Sequence, residues 1–373
     1  MDSGSLNIVI AGLSITSSWG NGHATTWRAL IRRLEEVGHQ VTFLERDLPW
    51  YASNRDMPEP PFCRTVLYDS VEQLRRNCAG LVKAADFVII GSYVREGVQV
   101  GRWLLTTAEG PVGFYDIDTP VTLSKLARGD YQYIEPSLIP EYDCYLSFTG
   151  GKTLDVLEEQ YGSPMARALY CSVDVAKYFP EEDAVCEYDL GYLGTYSDDR
   201  QQTLDELLIE PARRLAEWKC IVAGAQYPEG IDWPANIRRL DHVPPEKHRA
   251  FYNAQRFTLN VTRQDMITAG YSPSVRLFEA AACGVPVISD YWPGLETFFE
   301  PGKEILIARS HTDTIRCLCE ISEKKRRRIG ALARRRVLRE HSSTLRAQQL
   351  VTMMRAVIKG KASQGQRLVE TAV

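Results

Sequence analysis

The chain has 373 residues, more than one ordinary core holds and suited to two domains. Its 44% apolar and 25% charged residues, with no low-complexity tract, exclude the fibrous and disordered classes. A net charge of −4 offers no global electrostatic case for nucleic acid, and no apolar run approaches the roughly 20 residues that span a bilayer. Met1-Asp2-Ser3-Gly4-Ser5 lacks the basic and apolar regions of a signal peptide. Nine scattered cysteines, the closest pair being Cys317 and Cys319, match no zinc or redox spacing. A cytoplasmic location with cysteines as small core residues is expected.

In chain order, residues 6–12 (LNIVIAG) form a short apolar run ending in glycine, a buried strand. Trp27, Leu30, Ile31, Leu34 and Val37 then repeat at helical spacing until Gly38 stops the helix. Residues 41–44 predict the next strand, and further strands are predicted at 87–90, 112–115, 145–148 and 168–173. Helical stretches at 71–84 and 153–161 lie between them. That alternation predicts a parallel sheet with helices on both faces.

The rhythm then restarts. Strands are predicted at 188–193, 220–224, 257–261 and 286–289, and helices at 202–218, 245–253 and 273–283. Between the halves, Phe179-Pro180-Glu181-Glu182-Asp183 is short, acidic and proline-bearing, so the boundary is placed there. The expected domains are 1–182 and 183–345, with 346–373 a helix returning to the first domain and a flexible tail. Basic residues at 324–328 and 334–336 alternate with Ile329, Leu332, Val337 and Leu338 and are offset by Glu320, Glu323 and Glu340. They read as a solvated helix face.

The most informative stretch is 272–290. Ser272 and Pro273 make a strong helix start, and Gly284 closes the helix. A helix N-terminus placed after a strand favours an anion such as a diphosphate. Glu279 lies six residues beyond Pro273, roughly 9 Å along the axis, about the span from a diphosphate to the ribose of one nucleotide. A carboxylate there suits a ribose diol, and Arg276 could pair with phosphate. The alternative is an Arg276–Glu279 pair that merely covers the helix edge.

The run Arg276-Leu277-Phe278-Glu279, followed by Ala280 to Ile288, resembles the nucleotide-sugar site of retaining glycosyltransferases of the GT-B fold. The similarity is closest to the spore-maturation CgeB-like transferases. Val173-Asp174 with Phe179-Pro180 resembles that family's exit from the first domain. Gly191-Tyr192-Leu193-Gly194 with Arg200 resembles the loop that opens the second domain and brings a cation to the diphosphate. The resemblance implies an α/β architecture of two Rossmann-like domains whose parallel sheets face across a cleft. It also implies a donor site of Glu279 on the ribose, with Ser274, Arg276, Arg200 and Gly194 around the diphosphate. Arg263, just past a predicted strand, is a second candidate phosphate cation. The wider retaining family carries a glutamate where this chain has Tyr271, so the donor-sugar contact there differs.

In the first half, Trp19-Gly20-Asn21-Gly22-His23 precedes a helix, and Gly20 and Gly22 let backbone N–H groups approach a ligand. In similar transferases this loop lines the acceptor side and nears the donor phosphates. His23 is read either as a base or as a helix cap. A dinucleotide reading, with Glu45 as the ribose acid, conflicts with the glycine spacing. Asp116 and Asp118 follow a strand at its C-terminal end, where open sheets place ligands; they read as acceptor contacts, or Asp118 as a turn cap. Gly150-Gly151-Lys152-Thr153 lacks the earlier glycine of a P-loop, since Leu146 stands there.

The expectation is an enzyme moving a sugar from a nucleotide diphosphate sugar to a hydroxyl acceptor. It would need no metal, no further cofactor and no nucleic-acid partner, and would retain configuration. A nucleotide-sugar epimerase and a non-catalytic nucleotide- or glycan-binding protein are the alternatives.

Overall fold

A computed structural model describes residues 4–20, 22–182 and 184–371. The chain divides into two compact units, Met1–Tyr170 with Ser343–Val373, and Cys171–Ser342. Asn21 and Asp183 of the motifs above, and the first three residues, lie outside the described residues.

The first unit is built on seven strands: β1 (Asn7–Gly12), β2 (Gln40–Arg46), β3 (Arg64–Tyr68), β4 (Phe87–Gly91), β5 (Val112–Asp116), β6 (Cys144–Ser147) and β7 (Ala166–Ala168). They pair in the order β3-β2-β1-β4-β5-β6-β7, every neighbour parallel. Parallel neighbours need crossovers, which explains the helix between most successive strands. Covered on both faces, β4 and β5 are buried at every position, so they read in sequence as unbroken apolar runs.

Helix Gly22–Glu36 buries Trp27, Leu30, Ile31 and Leu34, and Trp27 meets Phe43 and Tyr115 edge-on at 5.8 and 5.2 Å. Val37, expected on the same apolar face, lies beyond the helix and is 55% exposed, because Gly38 turns the chain at φ +90°. The final helix, Ser343–Thr371, covers helix Gly22–Glu36 with Ala347, Leu350 and Met354 buried. Arg355 donates to the Gly4 carbonyl at 2.9 Å, and Lys361 meets Asp143 at 3.0 Å.

The second unit has six strands: β8 (Tyr188–Leu193), β9 (Cys220–Ala223), β10 (Ile237–Leu240), β11 (Gln255–Asn260), β12 (Val287–Ser289) and β13 (Leu306–Ile307). They also run parallel, in the order β10-β9-β8-β11-β12-β13. The helix expected at 202–218 instead starts at Asp198, widens into a π turn over Asp205–Ile209 and ends at Arg214. Pro211 explains the π turn: it brings no N–H and its ring crowds the carbonyl four residues back.

The division falls at Tyr170/Cys171, not at 182/183. The strand expected at 168–173 stops at Ala168. The acidic, proline-bearing stretch is committed to the second unit rather than free. Cys171 Sγ donates to the Pro273 carbonyl at 3.2 Å, Val173 N to the His341 carbonyl at 3.1 Å, and Glu181 N to Asn253 Oδ1 at 2.9 Å.

Candidate functional site

In the second unit the chain proceeds from β8 outward through β9 to β10, then returns to the other side of β8 as β11. Loops leaving β8 and β11 therefore diverge at the carboxyl edge, where open α/β sheets leave a crevice for ligand. Both loops deliver arginines. Past β8, Gly194 donates its N–H to Ala223 O at 2.8 Å, and its carbonyl accepts from the Tyr227 hydroxyl at 3.1 Å. A side chain on Gly194 would collide with the Tyr192 hydroxyl, so glycine lets the two meet.

Arg200 lies in the first turn of helix Asp198–Leu204 and donates to the Thr195 carbonyl, while its buried Nε finds no partner among the described residues. Burial lowers its pKa; Tyr192 opposes that, and the like charges of Arg276 and Arg263 add to it. Arg263 precedes helix Gln264–Ala269 after β11, 3.7 Å from Asp199, whose carboxylate also takes Gln264 N at 2.9 Å.

Arg276 stands in the first turn of helix Val275–Ala282, its guanidinium 5.6 Å from the Tyr192 ring centre and 3.5 Å from Asn260 Oδ1. The helix begins two residues later than the Ser272-Pro273 start predicted: Ser274 is the N-cap, and no side chain caps it. Ser272 is buried instead, its hydroxyl 3.0 Å from Met266 Sδ. The carboxyl ends of β11 and β12 are locked together. Asp290 accepts from Thr262 N and Oγ1 at 2.9 and 2.8 Å, and burial raises its pKa despite those bonds.

Glu279 comes one turn after Val275, about 6 Å along the axis at ~1.5 Å per residue. It is 4% exposed. The Tyr252 hydroxyl donates to its Oε2 at 3.1 Å, and His248 Nδ1 lies 3.8 Å from the same oxygen. Among the described residues no hydrogen bond reaches Oε1. The Arg276–Glu279 pair considered from spacing does not form, because each side chain has partners elsewhere. Tyr271 holds left-handed backbone at φ +46°, its N–H on Pro293 O at 2.7 Å and its ring packed where Gly294 has no side chain. A non-glycine residue kept there is backbone strain of the kind that clusters at ligand sites.

The first unit repeats the geometry, since its chain order reverses between β1 and β4. Gly20, at φ +58°, and Gly22 have open space where a side chain would stand. Half-buried His23 meets Tyr93 edge-on at 5.2 Å, and burial depresses its pKa to about 4, leaving a neutral imidazole. The Tyr93 hydroxyl donates to Asp118 Oδ2 at 2.9 Å, so His23, Tyr93 and Asp118 share one carboxyl edge. Tyr93 adopts φ +63°, which no propensity rule foresees, and sequence reasoning missed it.

Asp116, expected to touch an acceptor, is fully buried. Tyr145 donates to its Oδ2 at 2.6 Å, and Thr122 Oγ1 and Asp118 N to its Oδ1 at 3.0 and 3.1 Å. Burial raises its pKa even so, and its role is to brace the turn before Asp118. Glu45, the acid of the dinucleotide reading, is likewise occupied. It accepts from Ser14 Oγ, Ile15 N, Thr16 N and Thr16 Oγ1 at 2.6 to 3.0 Å, clamping the loop after β1.

Among the described residues, no group of three or more His, Cys, Asp or Glu side chains is placed to hold a metal ion. No helix among the described residues is long and apolar enough to cross a membrane.

Several solved structures share the architecture. Sucrose-phosphate synthase from Thermosynechococcus elongatus is 15% identical, with a TM-score of 0.68 over 94% of this chain and 99% of that one. HepE from Anabaena, in complex with UDP and glucose, is 12% identical, with a TM-score of 0.69 over 94% and 100%. An α-glucosyltransferase in complex with UDP-glucose and DNA containing an abasic site is 14% identical, with a TM-score of 0.71 over 94% and 100%. These likenesses show the fold, two Rossmann-like α/β domains of the GT-B class. No curated protein matches the sequence. Residues 200–352 match the model of a family described as glycosyl transferase-like.

Proposed function

We propose that this protein is a glycosyltransferase that moves a sugar from a nucleoside diphosphate sugar to an acceptor hydroxyl. The observation that carries the reading is that Arg200 feels the charges of Arg263 and Arg276, the last of them in the first turn of helix Val275–Ala282, whose start no side chain caps. Three guanidiniums near one another repel, and a diphosphate relieves that repulsion while taking the free N–H groups of the helix. The same groups act in the transition state, because negative charge grows on the departing phosphate oxygen. Glu279, one turn further on, accepts from the ribose diol. In the first unit, His23, Tyr93 and Asp118 receive the acceptor, with Asp118 as the proton acceptor.

The guanidiniums supply the charge that a divalent cation would otherwise bring, so activity should survive chelation of metals. Retention of anomeric configuration rests on the resemblance of residues 274–288 to CgeB-like transferases. Tyr271 fills the place of that reaction's usual acid, and its ring, packed at Gly294, offers the donor sugar a surface and one hydroxyl. HepE and the α-glucosyltransferase are solved with UDP or UDP-glucose, which makes uridine donors the first to try.

The test is release of nucleoside diphosphate from UDP-, GDP- and ADP-sugars by the wild type, Glu279→Ala and Arg200→Ala. Release by the wild type, stimulated by an acceptor and lost in both variants, is expected. Conversion of the donor sugar without any acceptor would replace the reading with an epimerase. Tight nucleotide binding with no release from any donor would leave a binding protein.

A further inference from the structure

The glutamate proposed to hold the ribose is itself held. Helix His248–Asn253 brings two groups to Glu279 Oε2: the Tyr252 hydroxyl at 3.1 Å and His248 Nδ1 at 3.8 Å. Tyr252 is fully buried, and burial together with the Glu279 charge drives its phenol pKa far up, so the hydroxyl is a permanent donor. His248 is oriented in turn, with Nε2 3.0 Å from the Val243 carbonyl and Nδ1 3.4 Å from the Tyr178 hydroxyl. Oε1 carries no hydrogen bond among the described residues.

This arrangement settles a competition built into the helix. Arg276 lies three residues before Glu279, the spacing at which an arginine and a glutamate on one helix pair. Such a pair would neutralise the cation meant for phosphate and turn away the carboxylate meant for ribose. In the structure Arg276 instead lies near the Tyr192 ring and Asn260, while Glu279 is drawn to Tyr252.

We infer that Tyr252 is a positioning residue for nucleotide recognition: its hydroxyl pins Glu279 Oε2, which leaves Oε1 to the ribose and Arg276 to the diphosphate. The inference rests on the donor reading of Glu279 given above. His248 supports the same oxygen, and the Tyr178 hydroxyl beside it also hydrogen-bonds the Glu279 carboxylate. Cys283 adds to the surroundings as a thiol that burial and the Glu279 charge keep protonated.

UDP, GDP and ADP are titrated by calorimetry into the wild-type protein, and the tightest is compared with its 2′-deoxy counterpart. Wild type should prefer the ribonucleotide by about tenfold, the scale of a hydrogen bond to a charged group. Tyr252→Phe removes one oxygen and should weaken ribonucleotide binding about tenfold, the 2′-deoxy form less, so that the preference collapses toward one. Glu279→Gln should abolish the preference too. A purely structural tyrosine would weaken both nucleotides alike, and circular dichroism with thermal unfolding shows whether each variant is folded. A folded Tyr252→Phe that keeps the wild-type preference, while Glu279→Gln loses it, overturns the inference and leaves the donor reading standing. Failure of wild type to bind any of the three nucleotides, or full preference retained in Glu279→Gln, removes the donor reading and this inference with it.

Discussion

Arg200 shows how function is written against stability at a single residue. Its guanidinium is desolvated and repelled by Arg263 and Arg276, a cost that only a bound anion recovers. Arg200→Met should therefore raise the melting temperature of the free protein by about 1–3 °C. It should also weaken nucleoside diphosphate binding about tenfold or more. Calorimetry with and without UDP reads both signs, and a drop in both would mean that Arg200 is structural. His248 reports on Glu279 in the same way. Burial works to lower its pKa, but the hydrogen bond and charge of Glu279, with the Val243 carbonyl, outweigh that and raise it above the usual 6.5. Folded-state stabilisation from the pair is thus fully present below about pH 6.5 and is lost as pH rises through the raised value. In Glu279→Gln the His248 titration followed by NMR should move down, since burial is then opposed only by the Val243 carbonyl and the Glu246 charge.

Packing between elements places helix Val275–Ala282. Helix Glu323–Glu340 crosses the far end of helix Val275–Ala282 at Gly330, where a side chain would come within 2.0 Å of the Gly284 carbonyl and 3.3 Å of Pro286. The offending atom is backbone and cannot rotate away, so Gly330→Ala must push the two apart. A loss of about 1–3 kcal/mol is expected, read as a lower unfolding midpoint together with weaker nucleotide binding. Unchanged affinity in a destabilised variant would show that the start of the helix is set independently of its end. On the basic face of helix Glu323–Glu340, Glu323 takes Arg326 and Arg327 and its pKa falls to about 2. Lys324, Lys325, Arg327, Arg328 and Arg335 are exposed as expected, whereas Arg326 and Arg334 turn inward to the Arg256 and Ala282 carbonyls.

For the molecule as a whole, the order of the chain and the order of the units differ. Residues 343–373 follow the second unit in sequence but belong to the first, where helix Ser343–Thr371 covers helix Gly22–Glu36. Truncation after Ser342 should uncover Trp27's helix and lower or abolish the thermal transition of the first unit. The second unit keeps its six-stranded sheet and all three arginines, so UDP should still raise its transition in differential scanning calorimetry. Loss of that ligand effect on truncation would show that nucleotide binding depends on the first unit.

Local pattern by itself marked most of the strands, their parallel class and helix Val275–Ala282, because apolar runs and helical spacing are properties of neighbouring residues; β3, β10 and β13 escaped it. It also marked Arg263 just past β11 and Arg276 and Glu279 beyond the helix start, while Arg200 came from the family resemblance. Element limits were less legible: β10 is four residues of mixed polarity, and Pro211 hides a π turn. Only the tertiary structure decided that Asp116 and Glu45 are internal braces, since a buried carboxylate with its oxygens taken looks in sequence like a reactive one. It likewise decided that Tyr252, 27 residues before Glu279 with β11 between them, becomes its hydrogen-bond partner. Such partnerships depend on which helices the sheet order brings side by side, and no spacing along a chain records that.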